Sequence, residues 1–292
     1  MTGIAYLGPE GTFTEAALHG MVEAQLVPVT DFEWIPATST AAALEMVRSG
    51  DAAYACVPIE NSIEGSILPT LDSLATGSPL QIFAEYTLDI AFTIAVRKGA
   101  TDPATIAAFP VARAQVAKWA AKSLPNAEFV AADSNAAAAI DVANGRADAA
   151  VTTPLAAERH GLEVLATGVV DERNARTRFV LVGPVGPPPA RTDSDRTSVV
   201  LRLDNVPGAL AAALSEFAIR DIGLTRIESR PTRTELGTYI FFLDCEGHVD
   251  DPPVAEALKA LVERSADVRF LGSWPMGSDE PPRSGQAGEE NP

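Results

Sequence analysis

The sequence predicts an α/β protein: a two-lobed region followed by a smaller, ferredoxin-like βαββαβ domain. Three observations predict it. A unit of cap, helix, glycine stop and strand, from Ser39 to Ala55, recurs from Ser134 to Ala150. A proline-rich stretch, Pro184 to Arg196, carries no core-forming pattern and divides the chain. Beyond it the apolar patterns run strand, helix, strand, strand, helix, strand.

Taken in order, Ile4 to Leu7 is a short apolar run that reads as a strand. It leads through Gly8-Pro9-Glu10-Gly11-Thr12 into a helix that starts at Phe13. Thr12 is the expected N-cap, and Glu15 completes a capping box. A glycine-rich turn entering a helix offers N–H groups to an anion such as a carboxylate, although an ordinary capped helix reads the same way. Phe32 to Pro36 is strand-like, and Ser39 with Thr40 caps a helix from Ala41 to Arg48 that Gly50 ends. Ala52 to Val57 reads as a strand ending at Pro58. The polar cluster Pro58-Ile59-Glu60-Asn61-Ser62 follows at the strand end, where α/β folds place ligands.

Leu88 to Val96 reads as one strand, Arg113 to Ser123 as a helix and Phe129-Val130 as a short strand. In the second unit Ser134 and Asn135 open the helix, Gly145 ends it, and Thr152-Thr153-Pro154 follow the strand. The matches Ser39 with Ser134, Val47 with Val142 and Gly50 with Gly145 carry the repeat, because alanine is too abundant to count. Two lobes of like construction imply a cleft on which caps and strand ends converge. The region closes with Arg176-Thr177-Arg178-Phe179-Val180-Leu181-Val182-Gly183, an apolar strand with a cationic start. Alternation puts Thr177 and Phe179 on one face and Arg176 and Arg178 on the other.

In the last domain, Ser198 to Leu203, Ile222 to Ser229, Gly237 to Cys245 and Val268 to Leu271 read as strands. Leu210, Leu214, Phe217 and Ala218 form one helix stripe, and Val254, Leu258, Leu261 and Val262 a second. From Gly277 the composition is that of a disordered tail.

The chain has 292 residues, 47 % of them apolar, and a net charge of −17. That charge argues against nucleic acid and anionic membranes as partners. It requires the cations and N–H groups that hold an acidic metabolite to be gathered at one site. Cys56 and Cys245 read as buried thiols. His19, His160 and His248 lack metal-ligand spacing, and no phosphate-binding glycine loop or Cys-x-x-Cys pair is present. With no secretory leader and no membrane-spanning run, the expected location is the cytoplasm.

Three segments, Tyr6 to Phe13, Pro58 to Ser62 and Thr177-Arg178-Phe179, resemble in order and spacing the marks of the prephenate dehydratase family. The last domain resembles an ACT domain, with Asn205 to Leu210 and Glu228-Ser229-Arg230-Pro231 similar to its two regulatory motifs. The resemblance runs from residue 4 to about residue 275. It implies a periplasmic-binding-protein-like catalytic domain (1–183), a linker (184–196), an ACT regulatory domain (197–275) and a disordered tail (276–292).

The implied reaction turns prephenate into phenylpyruvate, water and carbon dioxide on the way to phenylalanine, with no metal or organic cofactor. Arogenate dehydration is the alternative within the class, and a non-catalytic metabolite sensor the alternative outside it. In the family the threonine matching Thr177 assists the leaving hydroxyl. Asn61 and Ser62 are the natural substrate contacts of the first lobe. Thr12, Ser39, Thr40, Ser134, Asn135 and Thr152 are candidates for holding the carboxylates, with simple capping as their other reading. Arg178 is a substrate contact or a salt bridge to an acid such as Glu60, and alternation favours the salt bridge. Phe179 packs, in the core or against the substrate ring. Phenylalanine is expected to bind through Asn205, Pro207, Gly208, Ala209, Leu210, Glu228, Ser229, Arg230 and Pro231 and to inhibit, in a homodimer or homotetramer. One departure is visible: the family's His-Pro-Gln stretch is Phe109-Pro110-Val111 here, although Gln115 matches a common polar position.

Overall fold

In the computed structural model, which describes residues 2–171, 175–232 and 238–277, the first lobe grows from the apolar run near the N-terminus. That run is β1 (Thr2–Leu7). It is followed by α1 (Phe13–Glu23), β2 (Phe32–Ala37), α2 (Thr40–Ser49), β3 (Tyr54–Asn61), β4 (Gly65–Ser66), α3 (Leu68–Ala75) and β5 (Leu80–Asp89). The caps act as their chemistry predicts. Thr12 and Ser39 accept from the N–H groups of Glu15 and Ala42, at 3.3 and 3.0 Å, and Gly50 ends α2.

The second lobe contains β6 (Phe92–Val96), β7 (Thr105–Ala108), α4 (Pro110–Ser123), β8 (Glu128–Ala131), α5 (Asn135–Ala143), β9 (Ala149–Thr152), α6 (Pro154–Arg159) and β10 (Glu163–Val169). β11 (Arg176–Pro184) then returns to the first lobe. The first sheet has the order β2-β1-β3-β11-β5, with β4 beside β3, and the second β10-β6-β9-β7-β8.

Two strand readings are corrected. Leu88 to Val96 is not one strand: Leu88 and Asp89 finish β5 in the first lobe, and β6 begins at Phe92 in the second. The apolar run continues across the break, so periodicity alone does not show it. Nor does β3 end at Pro58; it runs on to Asn61. Its rungs with β1 stop at Cys56, so the missing N–H of Pro58 breaks no bond on that side. The ladder to β11 slips here. Arg178 faces Glu60 and Phe179 faces Pro58, leaving Ile59 as the extra residue of a β-bulge.

The C-terminal domain comprises β12 (Asp195–Arg202), α7 (Ala209–Ala218), β13 (Leu224–Pro231), β14 (Tyr239–Glu246), α8 (Pro252–Arg264) and β15 (Asp267–Pro275), in the antiparallel order β13-β14-β12-β15. Alternation sorts its faces. Val199, Leu201, Leu243 and Cys245 pack under the helices with Phe217, Val254 and Leu261. Val200, Phe242, Leu271 and Trp274 pack instead with Leu44, Leu71, Ile82 and Val180 of the first lobe. Val262, expected in the helix stripe, is 63 % exposed while Leu261 takes the core position.

Gly272 permits the close approach of β15 to β5: its φ is +134°, and a Cβ there would lie 2.3 Å from the carbonyl oxygen of Ile82. Met276 and Gly277, placed in the tail by composition, are still tied down, through Ser194 O at 2.8 Å and Glu85 Oε1 at 3.1 Å. The strand start at Gly237 and the tail beyond Gly277 lie outside the described residues. Among those residues no helix is long and apolar enough to cross a membrane.

Candidate active site

β3 and β11 bring the two polar segments of the first lobe side by side. Thr177 lies opposite Asn61, and Asn61 Nδ2 donates to Thr177 Oγ1 at 2.9 Å. The other end of the amide fixes its orientation: Asn61 Oδ1 accepts from the N–H groups of Ile63 (2.9 Å) and Glu64 (3.0 Å). A backbone N–H only donates, so the oxygen is assigned by its partners and the nitrogen must face Thr177. The threonine oxygen therefore accepts from Asn61, and its own proton is directed elsewhere.

Leu88 lies opposite Thr177 on β5 and packs with apolar clusters of both lobes, as Phe13 does. Cross-strand partners share a face, so Thr177 stands where the lobes meet. The Phe13 ring meets the Phe92 ring of the second lobe edge-on, with centroids 5.6 Å apart. Ser62 extends the rung. Its hydroxyl accepts from Arg176 N at 2.9 Å and its N–H donates to Arg176 O at 2.8 Å.

The glycine-rich turn holds an anion, and the chain itself supplies it. Glu15 Oε2 accepts from Gly11 N, and Glu15 Oε1 accepts from Arg159 of the second lobe at 2.8 Å. Thr12 is fully engaged, donating to Leu7 O at 3.0 Å while capping α1. Of the two readings of this turn, these bonds are those of a capped helix whose own Glu15 lies against the turn. What the turn does is join the lobes: Thr153 Oγ1 donates to Gly11 O at 2.6 Å, and Arg159 also reaches Glu10 at 2.9 Å. Sequence reasoning passed over Thr153 and Arg159. The signal for Thr153 was its place before Pro154, an N-cap pattern that the structure bears out.

Ser39 and Ser134 accept from Ala42 N and Ala137 N and keep their own protons for donation. Thr152 is buried, its hydroxyl donating to Asn135 O at 2.7 Å, and Thr40 is buried in the first turn of α2. Two side-chain oxygens of the second lobe, Asn135 Oδ1 and Gln115 Oε1, are buried with no partner.

Arg178 is not a substrate contact in this geometry. It faces away from Thr177 and donates to Glu60 (2.8 Å), Glu85 (3.0 Å) and Asp244 of the C-terminal domain (3.0 Å). Burial would lower its basicity, but Asp244, Glu85 and Glu60 outweigh that and raise it. A cavity of 640 Å³ lies on this face at the domain junction, lined by residues including Glu60, Arg178, Arg196 and Thr225. Phe179 packs in the core with Tyr6, Leu18 and Met21 rather than against a ligand ring. Both thiols are buried, and burial pushes that of Cys245 up to about 12.

In the C-terminal domain Gly208, at φ +85°, opens α7 with no side-chain cap, and Ala209 and Leu210 form its first turn. Asn205 and Pro207 are exposed. Arg202 pairs with Ile240 and Ile240 with Arg230, so the Asn205–Gly208 turn and the Glu228–Pro231 segment lie at one end of the sheet. The second segment is docked on the first lobe. Glu228 accepts from Ser66 Oγ at 3.1 Å, and Arg230 makes two bonds to Asp72, at 2.9 and 3.0 Å. Ser229 and Pro231 complete β13 at the sheet edge.

Comparison with known proteins bears on this arrangement. The prephenate dehydratase family profile matches residues 4–186 and the ACT domain profile residues 197–263. A prephenate dehydratase of Mycolicibacterium vanbaalenii is 67 % identical over 287 residues, 95 % of this chain and 92 % of that one. The structure of a prephenate dehydratase from Arthrobacter aurescens in complex with L-Phe is 43 % identical, with a TM-score of 0.86, over 94 % of this chain and 90 % of that one. A third, GqqA, described as a novel type of quorum quenching acylase, is 30 % identical with a TM-score of 0.80, over 94 % of this chain and 98 % of that one.

Proposed function

The chain belongs to the prephenate dehydratase family, and from that premise we propose which of its residues carry the reaction. The enzyme is a carbon–oxygen lyase that converts prephenate to phenylpyruvate, water and carbon dioxide in phenylalanine biosynthesis. Carbon dioxide leaves from the ring carboxylate, its bonding electrons pass through the ring, and the ring hydroxyl departs from the opposite carbon. The product ring is aromatic, so the drive lies in the substrate. The protein must assist the hydroxyl as charge gathers on it.

Thr177 gives that assistance. The single observation that carries this assignment is the Asn61 amide donating to Thr177 Oγ1, which leaves the threonine proton to be given to the leaving oxygen. A threonine hydroxyl is a weak acid, so it stabilises the departing hydroxide by a hydrogen bond or relays a proton rather than protonating it outright. Ser62 steadies the rung beside it. Ser39 and Ser134, with protons to give, are polar groups available to the substrate carboxylates, which only accept. A nucleophilic Thr177, as an acylase would use, needs a base to take its proton, and the hydrogen bond found at its oxygen comes from the Asn61 amide, which donates.

Incubation of the purified protein with prephenate, followed by phenylpyruvate absorbance in alkali, tests the reading. Folded protein with no product above the spontaneous rate would favour the sensor alternative. Arogenate, which carries an amine in place of the keto group, is the comparison substrate that decides preference within the class.

The C-terminal domain binds phenylalanine and feeds inhibition back. The L-Phe held by the Arthrobacter relative supports this, as do the uncapped first turn of α7 and the placement of both regulatory segments at one sheet end. β13 is an edge strand, which suits pairing with a second copy in a homodimer or homotetramer, and the cytoplasm is the fitting location. Sedimentation with and without phenylalanine, alongside inhibition curves, checks these points; a monomer indifferent to phenylalanine would refute them.

A further inference from the structure

The Asn61–Thr177 pair is the last rung of the β3–β11 ladder, and the β-bulge at Pro58–Ile59 separates it from the regular rungs beyond. Thr177 is also held in unbroken register by β5, and Asn61 by β4. Where β3 and β11 meet beyond the bulge, a second set of bonds on the reverse face ties the two strands together. Arg178 is the neighbour of Thr177 on β11, Glu60 is the neighbour of Asn61 on β3, and the two are themselves cross-strand partners. Arg178 Nη2 donates both to Glu60 Oε2 (2.8 Å) and to Asp244 Oδ2 (3.0 Å), while its Nη1 donates to Glu85 Oε2 on β5 (3.0 Å).

Asp244, on β14 of the C-terminal domain, is fully buried and is gripped by Arg226 through two bonds of 2.9 Å. Glu85 Oε2 also accepts from Trp274 Nε1 at 3.1 Å and is ion-paired with Arg196, whose Nε lies 3.1 Å away. One guanidinium, 8 % exposed, is thus held by carboxylates from three strands in two domains, directly behind the reacting pair. A buried cation cannot lose such a partner without moving or drawing in water.

We propose that Asp244 and Arg178 are positioning residues for the reaction: the C-terminal domain, through Asp244, clamps Arg178 and Glu60 and so holds Thr177 and Asn61 in reacting geometry. The proposal rests on the assignment of Thr177. It makes the C-terminal domain part of the machinery that sets the turnover rate, by a route running through the sheet.

The test is steady-state kinetics on the full-length protein with prephenate. Asp244→Asn preserves shape and removes charge. It is expected to lower kcat about 10- to 100-fold, the cost of a small misplacement of reacting groups, with KM within about threefold. Asp72→Asn is the control. It breaks the bonds to Arg230 at the same domain junction, but on α3 rather than on the strands that carry the reacting pair, and kcat is expected to stay within about twofold of the parent.

Glu60→Gln guards against a folding failure, because the Glu60 side chain is 41 % exposed. It is expected to lower kcat in the same direction and, combined with Asp244→Asn, to lower it no further than Asp244→Asn alone, since both act through Arg178. Folded Asp244→Asn with parental kcat overturns the proposal, as does an equal loss in Asp72→Asn. If Asp244→Asn does not fold, a parental kcat for Glu60→Gln overturns it. Thr177→Ala separates the two levels: an unchanged rate there sinks the assignment of Thr177, whereas a loss there with none in Asp244→Asn sinks the positioning alone.

Discussion

Asn61 Nδ2 donates to Thr177 Oγ1 at 2.9 Å while Asn61 Oδ1 is held by two backbone N–H groups, so the direction of the Thr177 proton is set before any substrate arrives. Preorganised donors act most strongly because they need no rearrangement as charge develops. Asn61→Asp keeps the two backbone bonds but replaces the amide donor with an acceptor. Thr177 then turns its proton to the carboxylate. The expected result is a fall in kcat comparable to that of Thr177→Ala, and no further fall when the two changes are combined. Independent, multiplying losses in the double variant would show that Asn61 does not act through Thr177.

The lobe junction offers a second prediction. Gly11 has a φ of +86°, and a Cβ on it would lie 2.8 Å from the Ala156 Cβ of the second lobe. Gly11→Ala therefore combines backbone strain with a clash across the lobes. Its expected cost is about 1–3 kcal/mol of stability, read from urea unfolding, together with a several-fold rise in KM for prephenate. A variant with parental KM would show that this contact does not set lobe closure.

For Phe179 the structure separates packing from binding. The ring is 2 % exposed, in the core under α1. Phe179→Ala is expected to lose about 3–5 kcal/mol of stability and, in its folded fraction, to keep KM close to that of the parent. A large KM increase without loss of stability would restore the substrate-ring contact.

Acid stability reports on Asp244. Burial alone would raise its carboxyl, but Arg226 and Arg178 hold it well below the usual carboxylate range. A carboxyl depressed in the folded state binds more protons unfolded than folded. Its stabilising contribution is therefore complete above the unfolded value of about 3.9 and is lost as pH falls through the folded value. The difference in urea midpoint between the parent and Asp244→Asn is expected to be constant from about pH 7 to pH 5 and to shrink only below about pH 4. A difference that vanishes nearer neutrality would contradict the pairing.

Much of this was legible in the chain, for identifiable reasons. Helix caps are local chemistry, so Thr12, Ser39 and Ser134 announce their helices, and the alternation of β11 correctly sends Thr177 and Arg178 to opposite faces. What was hidden is non-local. The break after Asp89 interrupts a run that has no glycine or proline, and apolar residues continue on both sides of it as the chain passes from one sheet to the other. The partner of Arg178 in another domain, Asp244, is 66 residues away and announces itself by no motif. The Glu15 carboxylate fills the anion site at Gly11, and only the coordinates distinguish that from a site awaiting substrate.

The most direct test of the account is the rate of prephenate turnover by Thr177→Ala beside Thr177→Ser. The predicted result is a loss in kcat of about 10²–10³ for alanine, with little change in KM, and recovery of most of that loss by serine, whose hydroxyl can take the same hydrogen bond from Asn61. An alanine variant whose kcat stays within a few-fold of the parent would contradict the central role given to this hydroxyl.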